Sequence, residues 1–308
     1  MRALLVVNPK ATATSARARD VLAHALASEC RLEVAETKAR GHGTELACSA
    51  VSDGFDVVVA LGGDGTVNEV VNGLLANGPR EGLPALGVVP AGSTNVFARA
   101  LGLPNDPVEA TALLLEALRG EQRRSVGLGR AGDRWFTFNA GLGLDAEVVR
   151  RVDTRRARGH RATPSLYVRA GVRQFFLATD RSSPALLLER DGHEPERLAL
   201  ALVCNTAPWT YLRGRALLPC PQASFDSGLD VFGLRRLGTA STLRQLRQVA
   251  ARTPRLHGRS LLALHDMPRL VLRACRPLPF QLDGEDLGDR EQVELTGVPH
   301  ALRVVIAP

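Results

Sequence analysis

The chain has 308 residues, enough for one large or two modest domains, and its 45% hydrophobic and 23% charged residues are those of an ordinary soluble globular protein. The formal net charge is +7, and Lys10 and Lys38 are the only lysines, so nearly all positive charge is arginine. A basic chain can meet nucleic acid, an anionic membrane or an acidic substrate, but with aromatics at 4% and no nucleic-acid module, nucleic acid is excluded as the expected partner.

In chain order, residues 3–7, 32–36, 57–61 and 85–89 read as strands. Residues 15–28, 44–52, 66–75 and 94–101 read as the helices that follow them, and 107–119 as one more amphipathic helix. Repeated strand–helix units predict a parallel sheet covered by helices, with ligands at the carboxyl ends of the strands. After about residue 125 the texture changes to short strand-like pieces at 135–140, 185–190, 198–204, 229–234, 261–264, 270–272 and 293–295. Helices at 164–178 and 239–252 interrupt them, and a closing strand is expected at 302–306. The fold class is therefore an α/β nucleotide-binding domain plus a β-rich C-terminal domain. The first N-terminal apolar run is too short for a signal peptide, and nothing approaches the roughly 20 apolar residues of a membrane span, so a cytoplasmic protein is expected. Cys30, Cys48, Cys204, Cys220 and Cys275 match neither a disulfide framework nor zinc spacing and are expected as free thiols.

The richest segment is Gly62-Gly63-Asp64-Gly65-Thr66-Val67-Asn68-Glu69-Val70-Val71-Asn72-Gly73-Leu74. It follows a buried apolar run and precedes valines and leucines at helical spacing; Thr66 with Glu69 makes a capping box, which predicts a helix from Thr66. Glycines before a helix start let a backbone approach a ligand, and the N–H groups there favour an anion, so phosphate is the natural guest. A carboxylate beside phosphates would repel them unless a cation intervened, which places Asp64 against a Mg²⁺ carried by the nucleotide. Lys10 is a candidate phosphate partner. Asp283-Gly284-Glu285, taken alone, is a favoured hairpin dipeptide with a neighbouring carboxylate.

This pattern resembles the signature of the diacylglycerol kinase catalytic family, which includes bacterial lipid kinases and sphingosine kinases and is related to NAD kinases. Asn8-Pro9-Lys10, Pro90-Ala91-Gly92-Ser93-Thr94-Asn95 and Asp283-Gly284-Glu285 agree in order, so the resemblance spans nearly the whole chain. It implies an ATP-dependent lipid kinase, with diacylglycerol the leading substrate, phosphatidic acid the product and phospholipid biosynthesis the setting. A sphingoid-base kinase, another lipid kinase or an NAD kinase are the enzyme alternatives, and a catalytically silent lipid-binding module is the non-enzyme one. It also implies ATP and Mg²⁺ as cofactors. Asn8, Pro9, Lys10, Ala11, Thr12, Thr37, Gly62, Gly63, Asp64, Gly65, Thr66, Val67, Asn68, Glu69 and Ser93 would line the nucleotide. Residues 1–124 with a returning strand at 299–308 would form the nucleotide domain, and 125–298 the lipid domain. The Asp-Gly-Glu segment would supply the general base. Asp283 is favoured, with Glu285 beside it on an extended segment, where the closeness of two carboxylates raises one pKa.

Three departures from the family pattern stand out. Val96 follows Asn95 where the bacterial diacylglycerol kinases have Asp; Thr12 replaces a usual glycine; and Ser227 replaces the Asp of a structural Mg²⁺ segment, leaving Asp226 or Asp230 as substitutes. Asp145 either approaches the substrate or caps a helix. The cluster Arg150, Arg151, Arg155, Arg156, Arg158, Arg161, Arg169 and Arg173 is expected to meet the membrane surface that presents the lipid, on its inner face. A homodimer is also among the expectations.

Overall fold

The computed structural model describes residues 1–11, 15–157, 185–212 and 214–306. The chain forms two compact units, one of Met1–Leu128, Asp133–Trp135 and Pro299–Pro308 and the other of Gly129–Gly132 and Phe136–Val298. The elements run β1 (Arg2–Val7), α1 (Ala16–Ala27), β2 (Arg31–Glu36), α2 (His42–Ser52), β3 (Val57–Gly62), α3 (Asp64–Leu74), β4 (Ala85–Pro90), α4 (Val96–Ala100), α5 (Pro107–Arg119), β5 (Arg123–Ala131), β6 (Arg134–Phe136), β7 (Asn139–Leu142) and α6 (Leu144–Ala157). They continue as β8 (Leu186–Glu189), β9 (Glu196–Leu198), β10 (Leu200–Cys204), β11 (Thr210–Leu212), β12 (Arg215–Leu217), β13 (Leu229–Leu234), α7 (Thr239–Val249), β14 (Leu261–Met267), β15 (Arg269–Leu282) and β16 (Glu285–Val305).

In the first unit β2, β1, β3 and β4 lie side by side and parallel, and the end of β16 joins β4 in parallel, Val304 opposite Leu86. The inner strands β3 and β4 are buried along their whole length, which is why they read as unbroken apolar runs. β2 is the edge and mostly exposed. Leu22 and Leu26 of α1 and Leu114, Ala117 and Leu118 of α5 share a core with Leu5, Val57, Val59, Leu61 and Val89. Ser15 caps α1 through the Ala18 N–H, and Asp106 caps α5 through the Val108 and Glu109 N–H groups.

The second unit is antiparallel: β14, β13, β10, β7 and β15 are successive neighbours, and β15 also pairs with β8 and with β16. Its core joins Phe136, Leu142, Leu188, Val203, Leu229, Leu272, Phe280 and Leu295. Helix α6 arises where the sequence offered only a candidate cap, and the helix expected at 164–178 lies outside the described residues.

Candidate functional site

Three loops of the first unit meet at the carboxyl ends of β1, β3 and β4. The Asn8 N–H donates to the Leu61 carbonyl at 3.1 Å, and the Asn8 Nδ2 donates to the Thr66 hydroxyl at 3.1 Å. The Lys10 N–H returns to the Asn8 Oδ1 at 3.0 Å, so the turn after β1 is folded onto the start of α3, with Lys10 exposed. Ala11 N–H closes onto the Asn8 carbonyl, and the Pro9 carbonyl accepts from Arg19 at 2.9 Å. The Thr37 N–H meets the Val7 carbonyl at 2.8 Å, setting the end of β2 beside them. Thr12 lies outside the described residues.

The glycines are needed for backbone approach. A Cβ at Gly92 would stand 2.6 Å from the Gly63 Cα, and one at Gly63 would stand 3.2 Å from the Gly92 Cα, so these loops cross with no room for a side chain. Gly65 is exposed in the first turn of α3 and opens onto free space where a Cβ would sit. Asn95, at φ 49° and buried, shapes the loop after β4: its Oδ1 accepts from Gly92 N–H and its Nδ2 donates to the Gly92 carbonyl, both at 2.9 Å. Ser93 is exposed on that loop, its hydroxyl 3.4 Å from that of Thr94. Asp64 is the first residue of α3, and its Oδ1 accepts from the Phe97 N–H at 3.1 Å, tying it to the first turn of α4.

Several expectations are corrected here. Helix α3 starts at Asp64 with Gly63 as its cap and no side-chain cap, so the capping box of Thr66 and Glu69 does not form. Thr66 instead receives Asn8, while Glu69 accepts the Gly41 and Gly43 N–H groups at 2.8 and 2.9 Å, holding the start of α2. The Val67 side chain is buried, and Asn68, also buried, donates to the Trp135 carbonyl at 3.0 Å. The side chains of Val67, Asn68 and Glu69 thus pack or hydrogen-bond within the first unit. Helical geometry carries these successive positions away from the exposed end of α3.

In the second unit Asp283 and Gly284 have φ of 49° and 78° and join β15 to β16, with Leu282 opposite Glu285. This is a two-residue hairpin turn, which requires positive φ at both positions, so the segment is not extended. The Asp283 carboxylate folds back on residues 137–139. Its Oδ2 accepts from the Thr137 N–H at 2.7 Å and the Thr137 hydroxyl at 2.8 Å, and its Oδ1 from the Phe138 and Asn139 N–H groups at 2.9 and 3.0 Å. Burial raises its pKa against the pull of those donors. A carboxylate accepting four hydrogen bonds has no lone pair left to aim at a substrate hydroxyl, and protonating it would set an O–H against a donor. The Asp283 carboxylate, favoured as the base, is thus engaged by residues 137–139, while Glu285 is half-buried at the first position of β16.

Gln281, almost fully buried, donates to the Asp145 Oδ2 at 2.7 Å and the Asn139 Oδ1 at 2.8 Å, while its Oε1 accepts from the Gly284 N–H at 2.8 Å. Asp145 sits in the first turn of α6, and burial lifts its pKa to about 6, against the lowering hydrogen bond from Gln281. Arg150 forms a bidentate pair with Asp286 at 2.9 and 3.1 Å and reaches Asp289 at 2.7 Å. Arg150 is thereby paired with two carboxylates. Arg151 is half-buried on α6, and the arginines from 155 to 173 have no described side chains.

The model of the diacylglycerol kinase catalytic domain matches residues 2–131. A probable lipid kinase YegS-like protein of Stenotrophomonas maltophilia is 30% identical over 97% of this chain and 94% of that one. The chain belongs to the diacylglycerol kinase catalytic family. The diacylglycerol kinase of Bacillus subtilis is 39% identical over 37% of this chain and 35% of its own length, and a YegS-like protein of Chromohalobacter salexigens is 39% identical over 47% and 45%. The matched region thus spans less than half of either of those two relatives. A crystal structure of a diacylglycerol kinase from Bacillus anthracis superposes with a TM-score of 0.74 at 20% identity, covering 100% of this chain and 97% of that one. An NAD kinase from Archaeoglobus fulgidus, solved with ATP, gives 0.53 at 13% identity over 99% and 93%. These two likenesses show the fold.

Among family members a nucleotide at the first unit is the natural expectation, and the residues fit one: crossed glycines, the open first turn of α3 and a nearby lysine suit phosphate oxygens. One carboxylate, Asp64, fits a cation whose other ligands are phosphate and water. The structural Mg²⁺ segment fits less well. The Ser227 hydroxyl donates to the Ser224 and Gly228 carbonyls, and Asp230 accepts from His265 at 2.8 Å and the Asp266 N–H at 3.1 Å. Gly92 and Asn95 stood in the motif after β4, but their roles required the folded loops, and Gln281 stood in no motif and carried no sequence signal.

Proposed function

We propose that the protein is an ATP-dependent lipid kinase that transfers the γ-phosphate of ATP to a lipid hydroxyl, with diacylglycerol as acceptor and phosphatidic acid as product. The observation that carries this is the crossing of Gly63 and Gly92 beside the open first turn of α3, in a chain that belongs to a lipid kinase family. Bound Mg-ATP supplies a phosphoryl group whose charge is partly neutralised. Asp64 would hold the cation and Lys10 would pair with phosphate. Glu285 takes the hydroxyl proton as the lipid oxygen bonds to phosphorus and ADP leaves with the electrons of the broken P–O bond. Asp283 holds the turn that places Glu285, and Gln281 keeps Asp145 and Gly284 in fixed register. The diacylglycerol kinase name borne by the Bacillus subtilis relative favours diacylglycerol. The protein would act at the inner face of the membrane as a peripheral enzyme.

The test is labelled ATP with purified protein and a panel of diacylglycerol, sphingosine, ceramide, monoacylglycerol and NAD, with product identification. Label in phosphatidic acid is expected. Label only in NADP would overturn the lipid reading, and label only in a sphingoid phosphate would move the substrate.

A further inference from the structure

Helix α7 buries a glutamine while its two leucines point outward. Its inward positions are Val249, which joins the core with Leu202, Phe232 and Leu237, and Gln245, which is 1% exposed and donates to the His257 carbonyl at 2.9 Å. Its outward positions hold Leu243 and Leu246, 52% and 57% exposed, one helical turn apart, with exposed Arg244 and Arg247 beside them. A helix serving only its own unit would place leucine inward and glutamine outward. The charge around it is one-sided: residues 231–265 contain seven arginines and no aspartate or glutamate. Arg235 is paired with Glu196, whereas Arg236, Arg244, Arg247, Arg252, Arg255 and Arg259 are exposed without a carboxylate partner among the described residues.

We propose that the outward face of α7, Leu243 and Leu246 with Arg244 and Arg247 and the arginines that follow it, docks the protein on an anionic lipid bilayer. Two half-exposed leucines alone would suit a second copy of the chain equally well. Six unpartnered arginines would repel their counterparts across such an interface, and they complement phosphate headgroups instead. Leucines inserted just below the headgroups and arginines lying at their level is the arrangement of an interfacial amphipathic helix. Arg150, the first arginine of the cluster expected at the membrane, is by contrast held by Asp286 and Asp289. The inference deepens the lipid-kinase reading, and binding is measured without ATP so that its failure is distinct from a failure to phosphorylate lipid.

The experiment is co-sedimentation with vesicles of phosphatidylcholine alone and of phosphatidylcholine with phosphatidylglycerol, using the full chain and the double variants Leu243→Gln/Leu246→Gln and Arg244→Gln/Arg247→Gln. All four positions are exposed, so thermal melts should be unchanged. The wild type should bind the anionic vesicles, less so in high salt. Each double variant should bind about tenfold or more weakly, at on the order of fivefold per arginine. Phosphorylation of a short-chain lipid in detergent micelles should stay at the wild-type level in both variants. Equal binding to neutral and anionic vesicles, no binding to either, or wild-type binding by both double variants would overturn the proposal. So would the loss of a wild-type dimer in the leucine variant with vesicle binding intact, which would assign the face to a second copy.

Discussion

At the scale of single residues, the two carboxylates of the Asp-Gly-Glu turn separate by environment. Asp283 takes up four donors, so Asp283→Asn forces an amide N–H against N–H groups at 2.7 to 3.0 Å. It should lose about 1–3 kcal/mol or more of stability in urea denaturation. Glu285→Gln should leave the melt unchanged while lowering kcat roughly 10²- to 10⁴-fold. A stable but inactive Asp283→Asn beside an active Glu285→Gln would reverse these roles. The clamp was not legible in the sequence, because its donors lie 144 to 146 residues away; the dipeptide announced only the turn. Asp145 offers a pH test. Its folded pKa of about 6 stands above the ordinary aspartate value of 3.8, so the folded state binds more protons than the unfolded between those values. Stability should therefore fall as pH rises from about 4 to about 6. Asp145→Asn, which can still accept from Gln281, should flatten that part of the profile measured by urea midpoints. An unchanged slope would place the proton elsewhere.

At the scale of elements, β3 and β4 were readable because a strand buried on both faces is an unbroken apolar run. By contrast β15 and β16, of 14 and 21 residues, showed only as fragments at 270–272, 293–295 and 302–306, since exposed charges and prolines interrupt their apolar pattern. The pairing of α2 with α3 was also hidden. It rests on Glu69, whose carboxylate both fills the N–H groups at 41 and 43 and complements the positive end of α2. Glu69→Ala should destabilise the first unit by about 1–3 kcal/mol without changing the Km for lipid, whereas a variant that melts normally but has lost nucleotide affinity would return Glu69 to the phosphate site. Gly92→Ala sets a methyl against the Gly63 backbone and should weaken ATP binding, measured by calorimetry, well before it alters secondary structure.

At the scale of the whole molecule, the chain leaves its first unit near Leu128 and returns to it at Pro299. The returning segment covers the outer edge of β4 by pairing Val304 with Leu86, and Arg303 donates to the Leu83 carbonyl at 2.8 Å. Truncation after residue 298 should therefore uncover an apolar strand edge and make the protein aggregate, while a soluble, monomeric truncation product would show that this strand is dispensable. Membership of the lipid kinase family was legible because its motifs are short, local and ordered along the chain. The assignment of chemistry within the motifs was not, because it depends on which donors fold onto which carboxylate. The most direct measurement is the transfer of labelled phosphate from ATP to diacylglycerol by wild type, Asp64→Asn and Glu285→Gln at equal, saturating ATP. The account predicts labelled phosphatidic acid from the wild type and a loss of orders of magnitude in both variants, with folding intact. Unlabelled lipid in the wild-type reaction, or full transfer by both variants, would contradict it.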